Sequence, residues 1–293
     1  MRLLISVAVH ENIFVVEDII RNLKYYLSDP VIILHARHDI YHDVEKLVKD
    51  FDDVILNPQS LLTGFMDGSL FFVHFSNLKY VLDNTIDFQY FLPFGSNQLF
   101  IKSGLEKYIA NFQCSAPQIR IKSDLYQCAQ YTKFYYDSNF DFLDKNTVAK
   151  AAPEGHFYHV DLIKKMIDTP EYLEVFNNFI HIYETEKGLI KRKWISKLVQ
   201  AFYRAKLLFL FPKKYLIFTY ALEEIIFPNL CRDVELMGKN YCFINWEKNL
   251  AVTQSDITEL LTKDDFFAVK RVSRDIKDPV RVFIKEISNG YKK

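Results

Sequence analysis

The sequence predicts an α/β fold: a mostly parallel sheet flanked by helices on both faces, with a more helical second half. Three observations carry this. Over the first hundred residues, short apolar runs alternate with segments of helical spacing. Those runs are unbroken, the pattern of strands covered on both faces. Beyond residue 150 the helical period dominates, and short strand-like runs return only near the end.

The elements follow in order. Leu3–Val9 is a continuous apolar run of strand length, and Phe14–Leu27 sets Val15, Ile19, Leu23 and Tyr26 at helical spacing. Val31–Leu34 is a second strand, Tyr41–Lys49 a second helix and Asp53–Leu56 a third, short strand. Leu70–Leu82 reads as helix and Phe88–Leu92 as a buried strand. In the second half His156–Ile167, Pro170–Ile182 and Trp194–Leu210 carry helical apolar spacing. The tail is expected to hold strands at Tyr241–Trp246, Phe266–Lys270 and Val280–Ile284. No linker, low-complexity tract or repeat divides the chain, so one domain is expected over 1–293.

Composition removes several function classes. With 37 basic residues against 37 acidic ones, there is no general electrostatic case for nucleic acid, and no nucleic-acid partner is expected. Cys114, Cys128, Cys231 and Cys242 are widely spaced and form no CxxC pair, so neither a zinc site nor a dense disulfide framework is suggested. Buried thiols in a reducing compartment are the plainer reading. The opening MRLLISVAVHENIF lacks a small-residue cleavage site and reads as a first strand, not a signal peptide. The longest apolar candidates, Leu207–Phe211 and Tyr215–Leu222, are too short to span a bilayer and are split by Pro212, Lys213 and Lys214. A cytoplasmic protein is expected, with peripheral contact at the inner face of a membrane left open.

In open sheets of this kind, ligands sit beyond the carboxyl ends of the strands. The positions to inspect are therefore His10–Asn12, His35–Arg37 and Gly95–Gln98. None carries a Gly-rich phosphate loop, which disfavours P-loop and dinucleotide chemistry. The literal DxD, Asp50-Phe51-Asp52, falls between a helix and a strand, where it reads as a solvated turn. The segment after Phe88–Leu92 is Gly95-Ser96-Asn97-Gln98 and holds no carboxylate for a metal. Any diphosphate leaving group would then need fixed cations.

Several segments, taken in order, resemble a known family. Val9-His10-Glu11-Asn12 is similar to a "V-H-x-N" after a first strand. Phe88-Gln89-Tyr90-Phe91-Leu92, then Gly95-Ser96-Asn97 and Ile101-Lys102-Ser103-Gly104-Leu105-Glu106, looks like a "Y-F-I-x-L" strand, a small turn and "P-I-K-(T/S)-x-L-E". Tyr241-Cys242-Phe243-Ile244-Asn245-Trp246 resembles an "R-Y-I-x-W" strand, with Ser255-Asp256-Ile257 at the following helix start. Asp265-Phe266-Phe267-Ala268-Val269-Lys270 resembles "x-x-F-A-x-K-F". These pieces occur in the order found in the core-2/I-branching N-acetylglucosaminyltransferase and peptide xylosyltransferase family, over nearly the whole chain.

The resemblance implies a GT-A type, Rossmann-like fold and an inverting, metal-independent glycosyltransferase. A UDP-sugar, with an N-acetylglucosamine- or xylose-like sugar, would be the donor, and a glycan or lipid-linked glycan hydroxyl the acceptor, as in surface polysaccharide or glycoconjugate synthesis. No cofactor and no metal would be required. Residues 1–125 would form the nucleotide-binding half, and 126–293 the acceptor and diphosphate-binding half.

Specific roles follow from the matched motifs. Glu224, in Glu223-Glu224 followed by Phe227, matches the catalytic base; Glu223 takes that place if the register slips by one. A carboxylate there would take the acceptor proton, with its pKa raised by a partly apolar pocket. Lys270 matches the lysine on the donor diphosphate, with Arg271 and Lys248 as further cations, although no arginine occupies the expected place near Glu247–Lys248. An ordinary ion pair on a surface strand would give Lys270 the same local sequence. His10, Asn12, His35 and Arg37 would line the nucleotide pocket, Arg37 standing where the family carries an aspartate. Glu154 would meet acceptor hydroxyls or cap a helix, and Trp246 would stack on a sugar or anchor a core strand. The departures at Arg37 and Lys248 leave a second function open: a catalytically inactive carbohydrate- or nucleotide-binding protein on the same scaffold.

Lys191–Leu210 stands apart. Ile195, Leu198, Val199, Phe202 and Tyr203 make an apolar face, with Lys197, Gln200 and Arg204 opposite. That pattern suits either a core-packed helix or a basic amphipathic helix on an anionic bilayer.

Overall fold

The computed structural model describes residues 1–137, 146–245 and 250–292, with side chains 133–137 left aside. In chain order the elements are β1 (Leu3–Val9), α1 (Ile13–Tyr26), β2 (Pro30–Ala36), α2 (Tyr41–Val48), β3 (Val54–Leu56), α3 (Ser69–Asp83), β4 (Tyr90–Gly95), β5 (Gln98–Phe100), α4 (Leu105–Ile109), β6 (Cys114–Ser115) and β7 (Gln118–Ile121). There follow α5 (Gln127–Asp137), β8 (Thr147–Lys150), β9 (Tyr158–His159), α6 (Val160–Ile167), α7 (Pro170–Tyr183), α8 (Glu186–Arg204), α9 (Ile226–Asn229), β10 (Met237–Gly238), β11 (Cys242–Phe243), α10 (Gln254–Leu260), β12 (Ala268–Lys270) and α11 (Pro279–Ile287).

The fold is mixed α/β around a seven-stranded sheet of order β10-β6-β9-β4-β1-β2-β3. Strands β4, β1, β2 and β3 are parallel, and β9 runs antiparallel to both β4 and β6. β1 lies between β4 and β2, and all seven of its residues are buried. Its side chains divide between two cores. Leu3, Ile5, Val7 and Val9 face α1, α10 and α11, whereas Leu4 and Ala8 face α3, α7 and α9. Burying each large aliphatic side chain contributes about 1.5–3 kcal/mol, so coverage on both faces is what chiefly holds this strand in place. The polar exception, Ser6, bonds the His74 ring at 2.8 Å and accepts from the Asn77 side-chain amide at 2.9 Å, so its burial is compensated.

A smaller sheet, β11-β12-β5, positions the site. β12 is antiparallel to β5, with Lys270 opposite Gln98. Because β5 follows β4 across the Ser96-Asn97 turn, this pairing brings Lys270 to the carboxyl end of β4.

Several expected elements differ. In the tail, the described part of Tyr241–Trp246 is strand only at Cys242–Phe243, and Phe266–Lys270 only at Ala268–Lys270. Val280–Ile284, expected as a strand, lies inside helix α11. Asp278 caps it by accepting from the N–H groups of Val280 and Arg281, and Pro279 sits at its first turn. The sequence His156–Ile167 is helical only from Val160: Tyr158 and His159 instead pair with Phe91 and Tyr90. Of Trp194–Leu210, only Trp194–Arg204 lies in helix α8, which starts at Glu186 under a Thr185 cap. Gly188 permits that early start, since a Cβ there would lie 2.0 Å from the Ile182 carbonyl oxygen. The fourth strand runs on to Gly95 through Pro93, which lies beyond the two residues that β9 pairs.

Candidate functional site

The carboxyl ends of β1 and β4 carry a charged cluster. Just after β1, the Glu11 side chain is 3% exposed and pairs with Arg274 at 2.7 Å. Glu11 also accepts from the Ser96 hydroxyl, and from the backbone N–H of His10 at 2.9 Å. The Arg274 guanidinium reaches Ser96 Oγ at 3.3 Å and remains half-exposed. The Ser96 turn follows β4 directly, so one acid, one hydroxyl and one cation meet where the parallel strands end.

A second cluster adjoins it through the segment Lys150–Glu154. Glu154 is buried, pairs with Lys270 through Oε1, and has no hydrogen-bond partner for Oε2 among the described residues. Gly95, at the end of β4, lets this carboxylate come close: a Cβ there would lie 3.1 Å from Glu154 Oε1. At the other end of the segment, the Lys150 ammonium lies 3.3 Å from Glu224 Oε2 and 5.6 Å from the centre of the Tyr220 ring. Tyr220 donates its hydroxyl to the same carboxylate oxygen at 2.6 Å, and the Ala151 N–H donates to the Glu224 carbonyl at 3.1 Å. Five residues thus connect Glu224 to Lys270, which limits the Cα separation of Lys150 and Glu154 to roughly 14 Å.

The two adjacent acids differ sharply. The Glu224 side chain is 27% exposed and ion-paired. Glu223 is buried, and its Oε2 finds no partner among the described residues. Burial, reinforced by Glu224 and Glu154 nearby, pushes the Glu223 carboxyl up to about 8. The apolar surroundings enclose Glu223 and leave Glu224 partly exposed, because the short 3-10 turn Leu222–Glu224 directs the two side chains differently. Burial and the Glu224 charge also hold the Tyr220 phenol well above its ordinary value, so it stays a donor.

The remaining candidates scatter. Lys270 ends β12, and Arg271 then adopts φ +71° and donates to the Asn245 carbonyl at 3.1 Å. His10 is partly exposed beside Glu11. Burial holds its imidazole below the ordinary value, opposed by the Glu11 charge and reinforced by Arg274. The Asn12 side chain is the cap of α1, accepting from the Phe14 N–H at 2.8 Å. His35 is a core residue, 1% exposed, with its ring accepting from the Leu61 N–H at 2.7 Å; burial lowers it to about 4. That placement takes His35 out of any pocket wall. Arg37 forms a two-pronged pair with Asp39, both bonds at 2.5 Å. Trp246 and Lys248 lie outside the described residues.

Lys150, Tyr220 and Arg274 join the site although the sequence does not single them out, whereas Glu11 and Ser96 fall within the stretches His10–Asn12 and Gly95–Gln98 that follow strands. Arg274 has a weak local signal, lying four residues after Lys270 in a basic run; Tyr220 and Lys150 have none. Among the described residues, no group of three or more His, Cys, Asp or Glu side chains is placed to hold a metal ion. No protein-family model matches the chain, and a search of curated proteins finds no match.

Proposed function

We propose that the chain is an inverting glycosyltransferase of GT-A type that works without a metal, of the kind its motifs resemble, moving a sugar from a UDP donor to a glycan hydroxyl. The observation that carries this reading is the Lys150–Glu154 segment, which ties Glu224 through Lys150 and Lys270 through Glu154. An accessible carboxylate and a fixed cation are what such a reaction requires on either side of the anomeric carbon. In this reading the acceptor hydroxyl oxygen bonds to the anomeric carbon while its proton passes to Glu224. The bond from that carbon to the diphosphate oxygen breaks, and the electron pair leaves with UDP. Lys270 and Arg274 stabilise the charge that accumulates there, with Arg274 standing in for the arginine missing near Lys248. Glu154, with one carboxylate oxygen unpartnered, hydrogen-bonds an acceptor hydroxyl.

The deciding experiment measures UDP release from a panel of UDP-sugars with mixed glycan acceptors in chelator, for the wild type and for Glu224→Gln. Release by the wild type, lost in the variant while UDP still binds, is the expected result. No release with any donor, together with intact UDP binding, would favour the inactive binding protein instead.

A further inference from the structure

Helix α8 and the turn after it carry a surface that the proposed reaction does not use. Nine of the 37 basic residues and none of the 37 acidic ones fall within 187–214, so the rest of the chain is net negative by nine. One of the nine, Arg192, is buried against Asp67 at 2.9 Å; the other eight are exposed.

The same stretch exposes large apolar side chains. Ile190, Trp194 and Leu198 follow one another at four-residue spacing and form a single stripe on α8. Gly188, Arg192, Ile195 and Val199 form the buried face, so the stripe points away from the core. At roughly 100° per residue, Lys191 borders one side of the stripe and Lys193, Lys197 and Arg204 the other, while Lys187 lies in line with the stripe at the start of the helix. After Arg204 the chain turns sharply. Lys206 takes a left-handed conformation, with φ +59°, its N–H bonded to the Tyr203 carbonyl and that of Leu207 to the Phe202 carbonyl. Leu207, Phe209 and Leu210 then emerge exposed, and Phe211 stacks edge-on to Phe202 at 5.3 Å, holding this turn against the helix. Trp194 is 62% exposed and Phe209 78%.

We infer that α8 and the turn 207–210 form a docking surface for an anionic lipid bilayer, lying in its interface with the apolar stripe inserted and the flanking lysines on the headgroups. Charge decides among the possible occupants. A second copy would bring its own eight exposed cations against these. A nucleic acid would meet an apolar stripe where its phosphates need cations. An anionic bilayer satisfies both components, hydrocarbon for the stripe and negative headgroups for its flanks. No described helix is long and apolar enough to cross a membrane, so the contact is interfacial. This docking surface does not depend on the transferase reading.

The test is co-sedimentation of the full chain with vesicles of phosphatidylcholine alone and of equimolar phosphatidylcholine and phosphatidylglycerol, at low and high salt. Binding to the anionic vesicles only, weakened by salt, is expected. Lys193→Glu with Lys197→Glu should reduce partitioning about fivefold for each lysine removed. Trp194→Ala with Phe209→Ala should reduce it at least about tenfold, with an unchanged melting temperature because both side chains are exposed. Three results would overturn the inference: no binding to anionic vesicles at low salt, equal binding to both compositions, or self-association that shields the basic stripe without lipid. Tight binding of a single-stranded oligonucleotide with no vesicle binding would also overturn it.

Discussion

Tyr220 donates its hydroxyl to Glu224 across 2.6 Å, on the same carboxylate oxygen that Lys150 approaches at 3.3 Å. One oxygen of Glu224 is therefore held from two sides, which fixes the carboxylate in direction.

If Glu224 is the base, removing that hydroxyl misplaces it without unfolding the site. Tyr220→Phe keeps the buried ring and deletes a hydrogen bond to a charged group, an interaction of about 1.5–3 kcal/mol. The expected outcome is a fall in kcat of roughly tenfold to a hundredfold, with the donor KM unchanged, measured by steady-state UDP release. A loss in KM alone would assign Tyr220 to substrate binding.

Glu223 makes stability depend on pH in a definite direction. Its carboxyl sits at about 8 in the folded state, above the ordinary value of 4.5, so the native state holds a proton the unfolded chain has lost. Stability from this group is complete below pH 4.5 and declines as pH rises toward 8. Three buried histidines act oppositely at lower pH. Burial lowers His35 and His156 to about 4 and His74 to about 3, so their contribution grows as pH rises from there toward 6.5. Glu223→Gln removes only the first contribution. The difference in melting temperature between variant and wild type should therefore move in the variant's favour by on the order of 5 °C from about pH 5 to about pH 8. A constant difference across that range would place Glu223 in a wetter environment.

Nucleotide binding provides a readout separate from catalysis. UDP in chelator, at about a hundred times its Kd, should stabilise the fold by about 2.7 kcal/mol. Lys270→Ala should abolish the UDP-dependent rise in melting temperature, and Arg274→Ala should reduce it. An unaltered rise in both variants would remove the two cations from the proposed diphosphate site.

Arg281 and Asp18 join α11 to α1 in the interior, 1% and 3% exposed, and Arg281 also donates to the Ser273 carbonyl. Arg281→Met would strand a buried carboxylate and cost about 3–5 kcal/mol in denaturant unfolding, whereas Asp18→Leu with Arg281→Met together should recover much of the loss. Equal losses in the single and double variants would mean that packing, not the ion pair, matters at this contact.

The sequence by itself determined the parallel strands β1 to β4 and most of the helices, but not β6, β9 and β10, which complete the sheet. The six apolar residues of the seven in β1 have one stable environment, between two covered faces, and the spacing of Val15, Ile19 and Leu23 has one stable partner, that sheet. The Asp278-Pro279 start of α11 was also written locally, but the alternation of Val280, Val282 and Ile284 imitates a strand. The contest was settled by Arg281 and Ile284, which share the helix face turned toward the interior. What only the tertiary structure decided was every pairing between distant charges. Arg281 meets Asp18 across 263 positions, and Lys270 meets Glu154 because β12 pairs with β5. Local sequence records propensity and period, which act within a few residues. The partner of a buried charge, and hence whether Glu223 or Glu224 is the accessible acid, depends on desolvation by elements that come together only when the chain is folded.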